Sequence, residues 1–235
     1  MTQPAAPAEP KENMLVNILL NIVLPTLILT KGSSEKYLGP TWGIVVALAF
    51  PVGYGVYEYL RTSKLNFFSV LGVVSVLLTG GISLLQLPPR YIAIKEAAIP
   101  GLLGLAVLGS QWTRWPLVRT FIFNRKIMQV DRIETALAAH SNERAFERSL
   151  TVATYMLAGS FFLSSILNYV LAEWVLQSPP GTEQYNAELG KMTALSFPVI
   201  TIPTMIVTIA ALFYLFRSIT KLTSLSLEEL MNEPS

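Results

Sequence analysis

Residues Lys95 to Arg119 read KEAAIPGLLGLAVLGSQWTRWPLVR. After Glu96 the chain carries no charge from 97 to 113, then empties into Trp112, Arg114, Trp115 and Pro116. About 20 apolar residues at 1.5 Å each cross the roughly 30 Å hydrocarbon core of a bilayer. Aromatic and cationic side chains gather where that core meets water, and a proline ends or bends a helix. The stretch therefore predicts a transmembrane helix with a basic exit.

The same pattern recurs on both sides. Intervals bounded by charges or by the polar N-terminal tail run 13–30, 37–57, 65–89, 97–113, 149–172 and 192–216. Only 14% of the 235 residues are charged and 52% are hydrophobic, whereas soluble domains carry about 25% charged residues. A soluble helical protein would have to hide six helices without the polar face that surface helices show. Barrel strands alternate polar and apolar over about ten residues, and these runs are continuous. The expected fold is all-α and polytopic, with six transmembrane helices and a basic cytoplasmic loop between helices four and five. Residues 1–13, MTQPAAPAEPKEN, predict a disordered tail and lack the positive leader of a signal peptide. Residues 14–220 form the membrane domain and 221–235 a short tail. With no cysteine, disulfides and thiolate metal sites are excluded.

Within the first span, Asn17, Asn21 and Pro25 recur every four residues and share one helix face. Pro25 cannot donate to the Asn21 carbonyl, so a kink with a freed acceptor is expected beside two amides. Such a face is either glue between helices or a lining for a solute. In the sixth span Pro198 and Pro203 interrupt the run, with Thr201, Thr204 and Thr208 on one face. Gly80-Gly81 predicts a break in the third. Broken helices recur at transporter binding sites, which makes Asn17, Asn21, Pro25, Thr201 and Thr204 the candidate polar seam. Arg90, Lys95, Glu96 and Glu173 are placed at span ends as an outer salt-bridge cluster, leaving no ionisable residue deep in a span.

Between 114 and 148 stand Arg114, Arg119, Arg125, Lys126, Arg132, Arg144 and Arg148, against Asp131, Glu134, Glu143 and Glu147. Val130, Ile133 and Leu137 have helical spacing, predicting one or two short amphipathic helices along the membrane surface. Trp112, Arg114, Trp115, Arg119, Arg125, Lys126 and Arg132 are the candidate contacts to anionic headgroups or a protein partner. Nucleic acid is not expected, because the net excess of seven cations over four acids is small and no recognition module accompanies it. Lys11, Arg61, Lys64, the seven loop cations, Arg217 and Lys221 lie on one side; Lys31, Lys36, Arg90, Lys95 and Lys191 lie on the other. Cationic loops stay cytoplasmic, so both termini are expected there. Ser226 and Glu229 have capping-box spacing at the start of a short acidic helix, Leu227 to Met231.

Catalytic patterns are missing. His140 is the one histidine, and the chain contains no HExxH, P-loop, Rossmann glycine pattern or Gly-x-Ser-x-Gly elbow. No catalytic, cofactor or metal residues are expected.

Lys95, an apolar run into Gly109-Ser110-Gln111-Trp112, and then Pro116-Leu117 resemble the intracellular septation protein A family of bacterial inner-membrane proteins and its uncharacterised relatives, some labelled transporters. Leu167-Asn168-Tyr169 with Leu171-Ala172, and Tyr185-Asn186 leading into Gly190-Lys191-Met192-Thr193, are similar to it as well. Glu96 stands where the family tends to have proline, and the 120–150 loop is enlarged. The resemblance implies a non-enzymatic scaffold in envelope biogenesis or septation, acting through envelope or division proteins. The rival expectation is a small-solute transporter using the polar seam and broken helices three and six.

Overall fold

A computed structural model describes residues 16, 18–62, 67–125 and 128–231. It is 82% helix, with no strand among the described residues. In chain order the helices are α1 Leu19–Gly32, α2 Gly39–Thr62, α3 Phe67–Leu84, α4 Arg90–Ser110, α5 Leu117–Ile122, α6 Val130–Ala139, α7 Glu143–Val175, α8 Glu183–Ser196, α9 Ile202–Thr223 and α10 Leu227–Leu230. The chain packs as two units, one of Met1–Lys95 with Val170–Ser196, the other of Glu96–Tyr169 with Phe197–Ser235.

Four helical stretches are long and apolar enough to cross a membrane: Gly39–Arg61, Arg90–Ser110, Glu143–Val175 and the continuous Glu183–Thr223. Leu19–Gly32 and Val70–Leu84 are shorter apolar helices. Only 17% to 28% of the apolar windows of the four is buried, so their hydrophobic side chains face outward, as lipid contact requires. All four tryptophans lie at helix ends. Trp42 sits in the first turn of α2, Trp174 in the last of α7, and Trp112 and Trp115 follow α4. They are 65% to 81% exposed, the placement of interfacial belts.

In the first unit, α1 packs on α2 and α8, and α2 packs on α3. Pro25 is accommodated by widening the helix. Leu19–Val23 is a π turn ahead of it and Ile28–Gly32 another behind, a device that admits a residue lacking an N–H. Gly190 of α8 presses against α1, where an added Cβ would stand 3.1 Å from the Thr26 carbonyl oxygen and 2.7 Å from Thr30 Cγ2. The expected break at Gly80-Gly81 does not occur, since α3 runs unbroken to Leu84. The missing Cβ at Gly80 serves packing instead, because one built there would stand 2.7 Å from Leu48 Cδ1 of α2.

In the second unit, α7 joins α4 through Ser165, whose hydroxyl donates to the Ala97 carbonyl at 2.7 Å. It joins α9 through Ser160, which donates to the Thr204 carbonyl at 2.8 Å and stands 2.9 Å from the Thr208 hydroxyl. The expected interruption at Pro198 and Pro203 is a π turn, Phe197–Thr201, continuous with the helices on either side. Beyond the spans lies a small cap built from α5, α6, α10, the start of α7 and the end of α9. Its core includes Val118, Met128, Ile133, Leu137, Leu150, Leu215, Ile219 and Leu230, with the Phe123 and Phe146 rings 5.1 Å apart.

The amphipathic helix forms over Val130–Ala139, but its apolar stripe is not laid on lipid. Val130, Ile133 and Leu137 are buried in the cap core. Spacing alone does not distinguish a lipid surface from a protein one, and here side chains from α7, α9 and α10 cover the stripe. The tail belongs to this cap. Gln129 N–H donates to the Leu230 carbonyl at 2.9 Å, and Met128 bridges Met231.

Candidate functional site

α3 presents Ser75, Thr79 and Ser83 at four-residue intervals, hence on one face. Each meets a polar group from another helix. Lys95 of α4, only 9% exposed, extends its ammonium to Thr79 Oγ1 at 2.7 Å, Ser75 Oγ at 3.0 Å and the Ser75 carbonyl at 3.4 Å. One turn further, Ser83 Oγ lies 3.3 Å from the hydroxyl of Tyr185. Tyr185 and its neighbour Asn186 are fully buried, and Asn186 Nδ2 donates to the Pro40 carbonyl at 2.7 Å. Asn186 Oδ1 and Thr26 Oγ1 are buried without a hydrogen-bond partner among the described residues.

The depth of this ladder matters. Thr79, the nearest partner, stands five residues before the Leu84 end of α3, and Lys95 five residues after the Arg90 start of α4, so at 1.5 Å per residue the ammonium lies about 7–8 Å inside both helices. A charged group inside a span costs free energy to insert, most at the helix centre and less toward an end. Lys95, expected at the boundary of its span, is therefore a buried residue inside α4, which begins at Arg90. Treating every charge as a span boundary hid it. The available signal was the Ser75/Thr79/Ser83 register in an otherwise apolar run, which marks a face looking into protein.

The predicted seam divides between the two units. Asn17 lies outside the described residues; Asn21 is half-buried and Pro25 buried in the first unit. Thr201 is exposed and Thr204 half-buried in the second. The Thr204 hydroxyl bonds within its own helix, to Ile200 O at 2.8 Å and Thr201 O at 3.2 Å, as threonines do where prolines free carbonyls.

Of the predicted surface contacts, three arginines are held in ion pairs of the cap. Arg119 meets Glu147 at 2.5 Å, Arg125 meets Asp131 at 2.7 Å, and Arg132 meets Glu229. The capping hydrogen bonds of Ser226, backbone first and side chain second, with Arg132 adding to them, hold the Glu229 carboxyl below its ordinary value. Trp112, Arg114 and Trp115 stand exposed after α4, and Lys126 lies outside the described residues. Among the described residues no three acidic or histidine side chains converge as a metal site would require.

The long apolar helices suggest an integral membrane protein. No family model, curated protein or solved structure matches the chain.

Proposed function

We propose that this is a six-span bacterial inner-membrane transporter of a small polar or anionic solute, non-enzymatic, with the 114–148 segment and both termini cytoplasmic. The observation that carries the reading is the buried Lys95 ammonium on Ser75 and Thr79, five residues inside its helix. Ionisable groups kept in that setting mark solute and ion pathways. A leucine would serve the packing of α4 at no such cost. An entering anion or hydroxyl would exchange with Ser75 and Thr79 as the ammonium's partner. The reading rests on the α3 ladder rather than on the Asn17/Asn21 seam.

Light scattering by proteoliposomes shrunk against potassium acetate, potassium lactate, potassium phosphate or glycerol tests this. At least one solute should enter faster than into protein-free vesicles, and Lys95→Met should remove the excess rate. Rates equal to protein-free vesicles for all four solutes would end the reading.

A scaffold in envelope biogenesis or septation is the second reading, and the folded cap with exposed Trp112, Arg114 and Trp115 favours it. Purification in mild detergent should then recover envelope or division proteins with the chain, and recovery of none would count against it.

A further inference from the structure

The cap separates its arginines into two sets that the sequence does not distinguish. Arg119, Arg125 and Arg132 are held by Glu147, Asp131 and Glu229. Arg114, Arg148 and Arg217 are exposed and form no ion pair among the described residues. Each of the three stands next to a charge-free interval: 97–113 ends at Arg114, 149–172 begins after Arg148, and 192–216 ends at Arg217.

Their level is shared. Leu150 of α7 and Leu215 of α9 lie in one core cluster, so Arg148 and Arg217 flank the same layer. The Asn142 amide donates to the Leu222 carbonyl at 2.8 Å, fixing the start of α7 to the end of α9. The Arg119–Glu147 pair ties α5, which follows the Arg114 turn, to that same start of α7. Trp112 and Trp115 bracket Arg114 and are 81% and 74% exposed, which marks the headgroup depth.

We infer that Arg114, Arg148 and Arg217 form a collar that binds the phosphates of anionic phospholipids at the cap end of the second unit. A guanidinium presents two parallel N–H donors that match phosphate oxygens. Glu147, the acid nearest Arg148 in sequence, is occupied by Arg119. Arg144 and Lys221, exposed one turn further from the apolar runs, add attraction without reaching the same depth. Glu134, Glu143 and Glu228 are exposed beyond them. The collar is independent of the transport reading, since no residue of the α3 ladder takes part.

The two tryptophans beside Arg114 supply the readout. In a Trp42→Phe/Trp174→Phe background they are the tryptophans that remain of the four. Their fluorescence is quenched by whichever brominated lipid sits against them. Brominated phosphatidylglycerol should displace unlabelled phosphatidylcholine more readily than brominated phosphatidylcholine does, with a preference that falls roughly fivefold per arginine removed, since each surface cation contributes about 1 kcal/mol toward an anionic leaflet. Arg114→Gln/Arg148→Gln/Arg217→Gln should remove most of the preference, leaving the small part due to Arg144 and Lys221, whereas the charge-keeping Lys triple should retain more of it. Arg119→Gln/Arg125→Gln/Arg132→Gln should leave it in place. No preference in the parent protein, an equal loss from both glutamine triples, or removal of the preference by inorganic phosphate would overturn the collar.

Discussion

Lys95 Nζ donates to Thr79 Oγ1 at 2.7 Å, joining α4 to an apolar helix through a charge that neither helix needs for its own backbone. Two roles make opposite demands on this contact. As a staple, its loss should destabilise the protein; as a solute site, its loss should stabilise the protein and stop flux. Lys95→Met leaves Thr79 Oγ1 its donation to the Ser75 carbonyl at 3.1 Å, while Ser75 Oγ loses the ammonium as a donor. The expected outcome is unchanged or raised stability, because the insertion cost of the charge is removed, with solute entry at the protein-free rate. Thermal unfolding in detergent beside the vesicle assay decides it, and a fall in Tm with flux retained would assign the staple.

Gly190 is a second point where one atom decides the outcome. A Cβ there meets the Thr26 backbone carbonyl and Leu29 Cβ at 3.1 and 3.2 Å, atoms that do not rotate away. Gly190→Ala should destabilise by roughly 1–3 kcal/mol, the usual cost of overpacking. Gly53 in α2 has nothing within 4 Å of its added Cβ, and Gly53→Ala should stabilise by about 0.5–1 kcal/mol through helix propensity. Opposite signs in Tm are expected; shifts of the same sign would dismiss the close α1–α8 approach.

Why the spans were readable and the site was not follows from the same residues. Long charge-free runs have to be helical in lipid, where every backbone group must be satisfied internally, so the intervals around 97–113 and 149–172 located α4 and α7. The charge-free run starts only after Lys95 and Glu96, whereas α4 begins at Arg90, because a charge that finds partners inside the protein does not end a helix. A sequence cannot show that Ser75 and Thr79 of another helix satisfy an ammonium. Likewise Val130, Ile133 and Leu137 gave the period of α6, but not that Leu150, Leu215 and Leu230, distant in sequence, would cover its apolar face. Prolines signalled disturbance at residues 25 and 198, and the backbone absorbed it as π turns.

The tail should be held mainly by packing. Leu230 is fully buried in the cap core, and truncating such a leucine to alanine costs about 2–5 kcal/mol. The Arg132–Glu229 pair is solvent-exposed, a setting that contributes about 0–1 kcal/mol. Leu230→Ala should therefore free the Gln129 amide to exchange with solvent, and Arg132→Ala should change its protection little. Equal effects would mean that charge, not burial, docks the tail.

Acid should act on this tail in one direction. The Glu229 carboxyl titrates below its ordinary value of 4.5, so the folded state favours its charged form. That contribution is complete above the unfolded-state value and is lost as pH falls through the lower folded value. Exchange at Gln129, corrected for its intrinsic pH dependence, should be flat from neutrality to about pH 5, above the range of model carboxylates, and rise only under stronger acid. Glu229→Gln should flatten the acid limb. Loss of protection beginning near neutrality would point to another group.

The proposed topology can be read directly because the chain has no cysteine. Ala139 at the end of α6 and Gln184 in the first turn of α8 are both exposed, and each tolerates a cysteine at the surface. With twelve of the 17 cations on the side of the 114–148 segment, the positive-inside rule puts Ala139 in the cytoplasm and Gln184 outside. An impermeant maleimide applied to intact spheroplasts should label Gln184→Cys and reach Ala139→Cys only after lysis. Arg114→Gln/Arg148→Gln/Arg217→Gln should not invert this, since nine cations still face five. Labelling of Ala139→Cys on intact spheroplasts would reverse the orientation, and labelling of both there would remove the odd number of crossings between them.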